Sequence, residues 1–270
     1  DMTIDSSGNI YLIGHQTSDS YGAWDYGVTK LDINGVMLWQ KKIGGVGIDV
    51  GMGIAVDSAG NVYVTGYESS DVFAGTNDCG VIKLDSSGNI LWQKKIGGIN
   101  DDIGLFITVD TLDNIYVTGY HNSSSGGVNL NDYGIIKLDS SGNILWQKYI
   151  GGGGNDHGRN SAIDSDNNIY VCGYQTSDSH GINDYGIVKL DTDGNIIWQK
   201  KIGGAGDDQC NNIRIDASNN IYLNGSQKSD SYGDSDYGII KLDSSGNIIW
   251  QKKIGGGGID VGVYIAVDSV

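Results

Sequence analysis

Proline is absent from the 270 residues, glutamate occurs once, at Glu68, and cysteine three times. With no proline and 44 glycines, glycine is the main chain breaker, which suits strands separated by tight turns. The remaining 32 acidic residues are all aspartate. A helix-rich chain would use more glutamate, whereas aspartate belongs in turns, and no stretch carries a helical apolar period. Three cysteines (Cys79, Cys172 and Cys210) are too few for a disulfide framework. They replace a tyrosine, a threonine and a glycine of the pattern described below, and they read as incidental thiols.

Basic residues are also scarce. The formal net charge of −16 leaves no basic face for nucleic acid or an anionic membrane. No apolar run approaches the roughly 18 residues of a membrane span, so membrane insertion is not expected. The chain starts at Asp1 without a signal-peptide pattern, which suggests a processed or excised piece of a larger protein.

What is present in abundance is repetition. Trp39, Trp92, Trp146, Trp198 and Trp250 recur at intervals of 53, 54, 52 and 52 residues. Tyr11, Tyr63, Tyr116, Tyr170 and Tyr222 mark a second string, Asn-Ile-Tyr-Val-Thr-Gly and its variants. A third, Asp-Tyr-Gly, begins at Asp25, Asp132, Asp184 and Asp236, with Asp78-Cys79-Gly80 as its variant. One period holds four short extended runs, in the second unit 53–57, 61–66, 80–85 and 89–96, here called strands a, b, c and d. They are rich in Ile, Val, Tyr and Trp and bounded by Gly, Asp and Ser. The a–b link Asp57-Ser-Ala-Gly-Asn61 and the c–d link Asp85-Ser-Ser-Gly-Asn89 place Asp first and Gly fourth, as a type I turn with a following left-handed residue requires. Two tight hairpins per period of 50-odd residues predict an all-β fold, a β-propeller of five four-stranded antiparallel blades. The blades fall at approximately 1–52, 53–105, 106–159, 160–211 and 212–263, in a single domain 1–270. Residues 264–270 repeat the first strand, so the ring is expected to close near the termini, with two copies competing for one slot.

The string Ile54–Gly66, followed by Gly80–Asp85 and Trp92–Gly98, resembles the SBBP family of β-propeller repeats over nearly the whole chain. The resemblance implies a secreted or cell-surface protein of bacteria or archaea and carries over no catalytic residues. The family's name refers to seven blades, where five are found here.

Strand direction sorts the loops. The a–b and c–d turns share one end of each blade and are nearly identical. The b–c and d–a connections share the other, and there the b–c loops are long and variable, as recognition loops on a repeated scaffold are. Their aromatic and imidazole side chains are the candidate ligand-binding residues: His15, Tyr21, Trp24, Tyr67, Phe73, Tyr120, His121, Tyr174, His180 and Tyr232. They suit a glycan or a protein; the alternative is solvated loops with occasional aromatics. The d–a connection contributes one aspartate per unit, Asp49, Asp102, Asp156, Asp208 and Asp260. Such a ring could hold calcium at a channel mouth, or each carboxylate could cap amides of its own loop; no other cofactor is implied. The lysine pairs on strand d read as charges that keep blade edges from pairing. No nucleophile elbow or phosphate loop occurs. The expectation is therefore a non-enzymatic, lectin-like binding module, monomeric within an extracellular or cell-surface protein. A structural adhesion spacer is the alternative, and an enzyme ranks third.

Overall fold

The computed structural model describes residues 1–17, 24–45, 47–69, 76–125, 128–176, 182–228 and 234–268. Within them lie twenty strands in five four-stranded sheets, each pairing its strands in chain order. Sheet one comprises β1 (Met2–Ile4), β2 (Ile10–Gln16), β3 (Asp25–Leu31) and β4 (Met37–Ile43). Sheet two comprises β5 (Asp49–Val56), β6 (Val62–Ser69), β7 (Asn77–Leu84) and β8 (Ile90–Ile96). Sheet three runs through β9 (Asp102–Val109), β10 (Ile115–Ser125), β11 (Val128–Leu138) and β12 (Ile144–Ile150). Sheet four holds β13 (Asp156–Ile163), β14 (Ile169–Gln175), β15 (Asp184–Leu190) and β16 (Ile196–Ile202). Sheet five holds β17 (Asp208–Ile215), β18 (Ile221–Gln227), β19 (Asp236–Leu242) and β20 (Ile248–Ile254). These are the expected five blades, with strands a to d in order.

All ten hairpins use the predicted turn. In the second blade Gly60 N–H donates to Asp57 O at 3.1 Å and Asp57 N–H to Asn61 O at 3.0 Å. The Asp57 carboxylate accepts the amides of Ala59 and Asn61 and the side-chain amide of Asn61. The fourth residue must take positive φ, as Gly60 does at 82°. Asp113, Asn167 and Asn219 fill that position at 60–61° in three a–b turns, since short polar side chains tolerate the left-handed region. In the c–d turns these hydrogen bonds, led by those from Asn89, Asn143, Asn195 and Asn247, hold Asp85, Asp139, Asp191 and Asp243 below the usual carboxylate range.

The repeated Tyr, Trp and strand-c Lys meet around each a–b turn. Tyr63 is fully buried and its hydroxyl donates to Asp57 Oδ2 at 3.0 Å. Lys83 Nζ stands 4.9 Å above its ring, and Trp92 leans on it with centroids 6.2 Å apart. Trp92 Nε1 and Lys83 Nζ then both donate to Ser140 O, at 3.2 and 2.9 Å. Trp39 Nε1 and Lys30 Nζ treat Ser86 O the same way, at 3.0 and 3.2 Å, and Trp198 Nε1 reaches Ser244 O at 3.3 Å. Blades one, two and four are thus latched to the c–d turn of the blade that follows.

Strand a is longer than the sequence suggested. β5 starts at Asp49 rather than residue 53, because Asp49, Val50 and Gly51 ladder with Glu68, Tyr67 and Gly66 before a bulge at Gly51/Gly53. Glycine within Asp-x-Gly suggested a loop, yet it allows a close approach between strands. β1 holds the place beside β2, and residues 260–268, which contain the second copy of that strand, form no strand. The lysine pairs also differ from expectation. Lys42 and Lys95 turn back onto the strand-c aspartates Asp25 and Asp78, with Nζ to Oδ2 distances of 3.5 and 3.3 Å.

By compactness the chain forms two units, residues 1–127 with 134–147 and residues 128–133 with 148–270. In the first, β5 packs on β1, β2 and β3, and β9 on β5, β6 and β7. The core there is built from Tyr11, Val28, Ile54, Val64 and Leu84, and from Tyr63, Val81, Ile107 and Val117. In the second, β17 packs on β13, β14 and β15 around Tyr170, Tyr185, Ile187, Ile213 and Leu223. Strand d stays outermost, leaving Leu38, Leu91, Leu145, Ile197 and Ile249 exposed.

Candidate functional site

The b–c and d–a ends of the blades are organised around paired aspartates. A Cβ on Gly44 would lie 2.2 Å from Asp25 Oδ1 and 2.7 Å from Asp49 Oδ2. Only glycine fits between the strand-c carboxylate and the strand-a carboxylate that follows it. The arrangement recurs as Asp78/Asp102, Asp132/Asp156, Asp184/Asp208 and Asp236/Asp260. The strand-a carboxylates bind backbone. Asp49 Oδ2 accepts Gly45 N–H and Asp102 Oδ2 accepts Gly98 N–H, both at 2.8 Å. Asp208 accepts Gly204 and Lys228 amides, Asp156 accepts Thr176 N–H and Asp260 accepts Gly256 N–H. Burial, foremost, pushes the Asp49 and Asp102 carboxyls above the usual range. Among the described residues, no group of three or more His, Cys, Asp or Glu side chains is disposed to hold a metal ion.

Between the two aspartates of a blade sits a residue near the end of strand b. Gln175 ladders with Asp156 and Asp184, and Gln227 with Asp208 and Asp236. In the second blade the position is Glu68, between Asp49 and Asp78. Burial, then the Asp49 charge, raises its carboxyl to about 6. In the third it is His121, whose Nδ1 pairs with Asp102 Oδ1.

The candidate ligand-binding residues fall in separate places. His15 and Trp24 are brought together, rings stacked 4.5 Å apart, with Trp24 38% exposed. The Trp24 carbonyl accepts Asp49 N–H at 2.8 Å, so this stack is pinned to the d–a connection. Tyr67 stands opposite Val50 and Cys79 on β6, and Tyr120 opposite Ile103 on β10, both half-buried. Tyr174 lies on β14. Tyr21, Phe73, His180 and Tyr232 lie outside the described residues.

Around Tyr174 the second unit holds a cluster that the loop argument passed over. His157 stacks on Tyr174 at 4.8 Å and 16°, and its Nε2 meets Asn131 Nδ2 at 2.9 Å. Burial, with the neighbouring Arg159, lowers the imidazole to about 4, so it is neutral at pH 7. Arg159 Cζ lies 4.9 Å from the centroid of the Tyr174 ring, and its guanidinium donates to Gln209 Oε1 at 3.0 Å and to Asn211 Oδ1. Arg214 donates to Asn160 Oδ1 at 3.4 Å. Arg159 and Arg214 are the chain's two arginines, and they stand on the packed strands β13 and β17. The signal was legible in strand a: Asp-Val-Gly-Met and Asp-Ile-Gly-Leu in blades two and three become Asp-His-Gly-Arg and Asp-Gln-Cys-Asn in blades four and five.

Residues 25–256 match the family model described as outer membrane protein assembly factor BamB. The chain belongs to that family. This BamB-family chain is also 28% identical over 192 residues to an uncharacterised WD repeat-containing protein of Acanthamoeba polyphaga mimivirus, covering 53% of the chain and 14% of the relative. Among solved structures it resembles a puromycin hydrolase mutant, with TM-score 0.57, 10% identity and coverage of 94% of this chain and 37% of the other. An ulvan lyase gives TM-score 0.54, 11% identity and coverage of 94% and 69%. At such identities the likeness is one of fold, and the fold class is a five-bladed β-propeller.

Proposed function

We propose that this BamB-family propeller is a non-enzymatic binding module of an extracellular or cell-surface protein, and that its ligand is a carboxylate-bearing protein segment. The observation that carries the reading is the placement of Arg159, one of only two arginines in a chain with net charge −16, over the Tyr174 ring and next to neutral His157. Aromatic and arginine side chains are the ones that anchor protein interfaces, and a guanidinium matches a carboxylate in two-point geometry. The family description, an assembly factor, supports a protein ligand, and the likeness to SBBP repeats supports the extracellular setting. The His15–Trp24 stack offers a second, exposed contact in the first unit.

The test is an array of acidic, neutral and basic peptides, printed beside acidic and neutral glycans and probed with the full chain and with Arg159→Gln. Saturable, salt-sensitive binding of acidic peptides that weakens at least tenfold in the variant supports the reading. Binding confined to glycans would overturn the protein ligand in favour of a lectin. Silence on every spot would leave the spacer role, to which the latched blades are equally suited.

A further inference from the structure

Cys172 lies on β14 and Cys210 on β17, and both are wholly buried in one core cluster with Tyr185, Ile187 and Leu223. Both are free thiols in the structure, and Cys210 Sγ lies 3.7 Å from the carbonyls of Asn212 and Asn224. The equivalent positions face each other where strand b of the first and of the second blade meets strand a of the next. The same contact is Ile13 to Gly51 and Thr65 to Gly104. In each of those the strand-a member is glycine because the strand-b side chain occupies its space. An added Cβ would lie 2.4 Å from Ile13 Cδ1 and 2.2 Å from Thr65 Oγ1.

At Cys210 a β-carbon stands in that crowded place, and the residue at the facing position is Cys172. Unbonded heavy atoms need about 3.5–4.0 Å between them. Within a disulfide each β-carbon sits only about 3 Å from the far sulfur, and the two β-carbons about 3.5–4.5 Å apart. Close approach of the kind met at the equivalent contacts of the first unit is what a bonded pair satisfies. We propose that Cys172 and Cys210 form a disulfide that staples the fourth blade to the fifth, made by exchange with a small-molecule disulfide. Two thiols lose two protons and two electrons, one sulfur–sulfur bond forms, and the small disulfide is reduced to two thiols. Because both sulfurs are buried and the thiolate is the attacking species, the bond forms before the fifth blade closes on the fourth. Cys79 belongs to the other unit and stays reduced.

The test is to unfold the full chain and refold it with reduced and oxidised glutathione. The product is then quenched in acid, alkylated under denaturing conditions and mapped as peptides by mass spectrometry. The expected result is one linked peptide pair, Cys172 to Cys210, lighter by two hydrogens than the reduced pair, with alkylation at Cys79 alone. Three alkylated cysteines in the refolded protein, glutathione adducts at either position, or a link through Cys79 would each overturn the proposal. The double variant Cys172→Thr, Cys210→Gly restores the Thr65/Gly104 pair of the first unit. Its denaturation midpoint should not respond to dithiothreitol, whereas that of the oxidised wild type should fall; equal responses would also overturn it.

Discussion

Replacing Glu68 by glutamine should stabilise the protein at neutral pH and do nothing in acid. Glu68 ladders with Asp49 on one side and Asp78 on the other, and burial together with the Asp49 charge moves its carboxyl from 4.5 to about 6. A folded-state value above the unfolded one means that the folded protein holds this proton more tightly. The associated stability is present below about pH 4.5 and is lost as pH rises through 6. A shift of this size corresponds to at most about 2 kcal/mol at pH 7. The side chain keeps partial contact with water, which screens the charge, so about 1 kcal/mol is the working figure. Glutamine is already proven at the site: Gln16, Gln175 and Gln227 hold the equivalent place. Their Cγ atoms lie 2.5–2.6 Å from where a Cβ on the facing Gly27, Gly186 or Gly238 would be, much as Glu68 Cγ lies 3.0 Å from that point on Gly80. Urea denaturation of wild type and Glu68→Gln at pH 4, 5, 6 and 7 measures the difference. A midpoint gain that grows from zero at pH 4 to its full value near pH 7 is expected. A variant destabilised at pH 7, or stabilised equally at all four values, would refute the electrostatic account.

Two substitutions probe the repeat framework. Tyr63→Phe removes the buried hydroxyl donor to Asp57 and leaves that carboxylate three of its four donors; a loss of about 1–2 kcal/mol is expected by urea denaturation, and a change under about 0.3 kcal/mol would show that the bond is dispensable. Gly44→Ala forces a methyl against the Asp25 and Asp49 carboxylates, and the expected cost is about 1–3 kcal/mol of overpacking, read as a lower midpoint with unchanged far-ultraviolet circular dichroism.

The hairpins were the most legible part of the chain, because Asp-x-x-Gly-Asn specifies its turn through local hydrogen bonds alone. Strand limits were less so. Asp49 to Gly51 looks like loop in composition, and only the ladder with Glu68 to Gly66 makes it strand. The lysine pairs looked like solvated edge charges, since nothing local says that Lys42 will fold back on Asp25. The aspartates of the d–a connections were found, but their amide partners are contributed by glycines four residues upstream and by strand-b ends some twenty downstream. His157, Arg159 and the Cys172–Cys210 contact escaped notice for one reason. They depart from the repeat in a strand that was treated as scaffold, while attention went to the variable b–c loops. Four of the ten residues chosen there lie outside the described structure.

The latch between blades has an evolutionary consequence. Its donors, the indole of Trp92 and the ammonium of Lys83, are side chains, but its acceptor is the main-chain oxygen of Ser140. Every amino acid supplies that oxygen, so the receiving residue is free to drift. A duplicated blade therefore arrives with its joint intact, whatever its turn has mutated to. Repeats of this kind can multiply and diverge at their tips without first having to coevolve an interface.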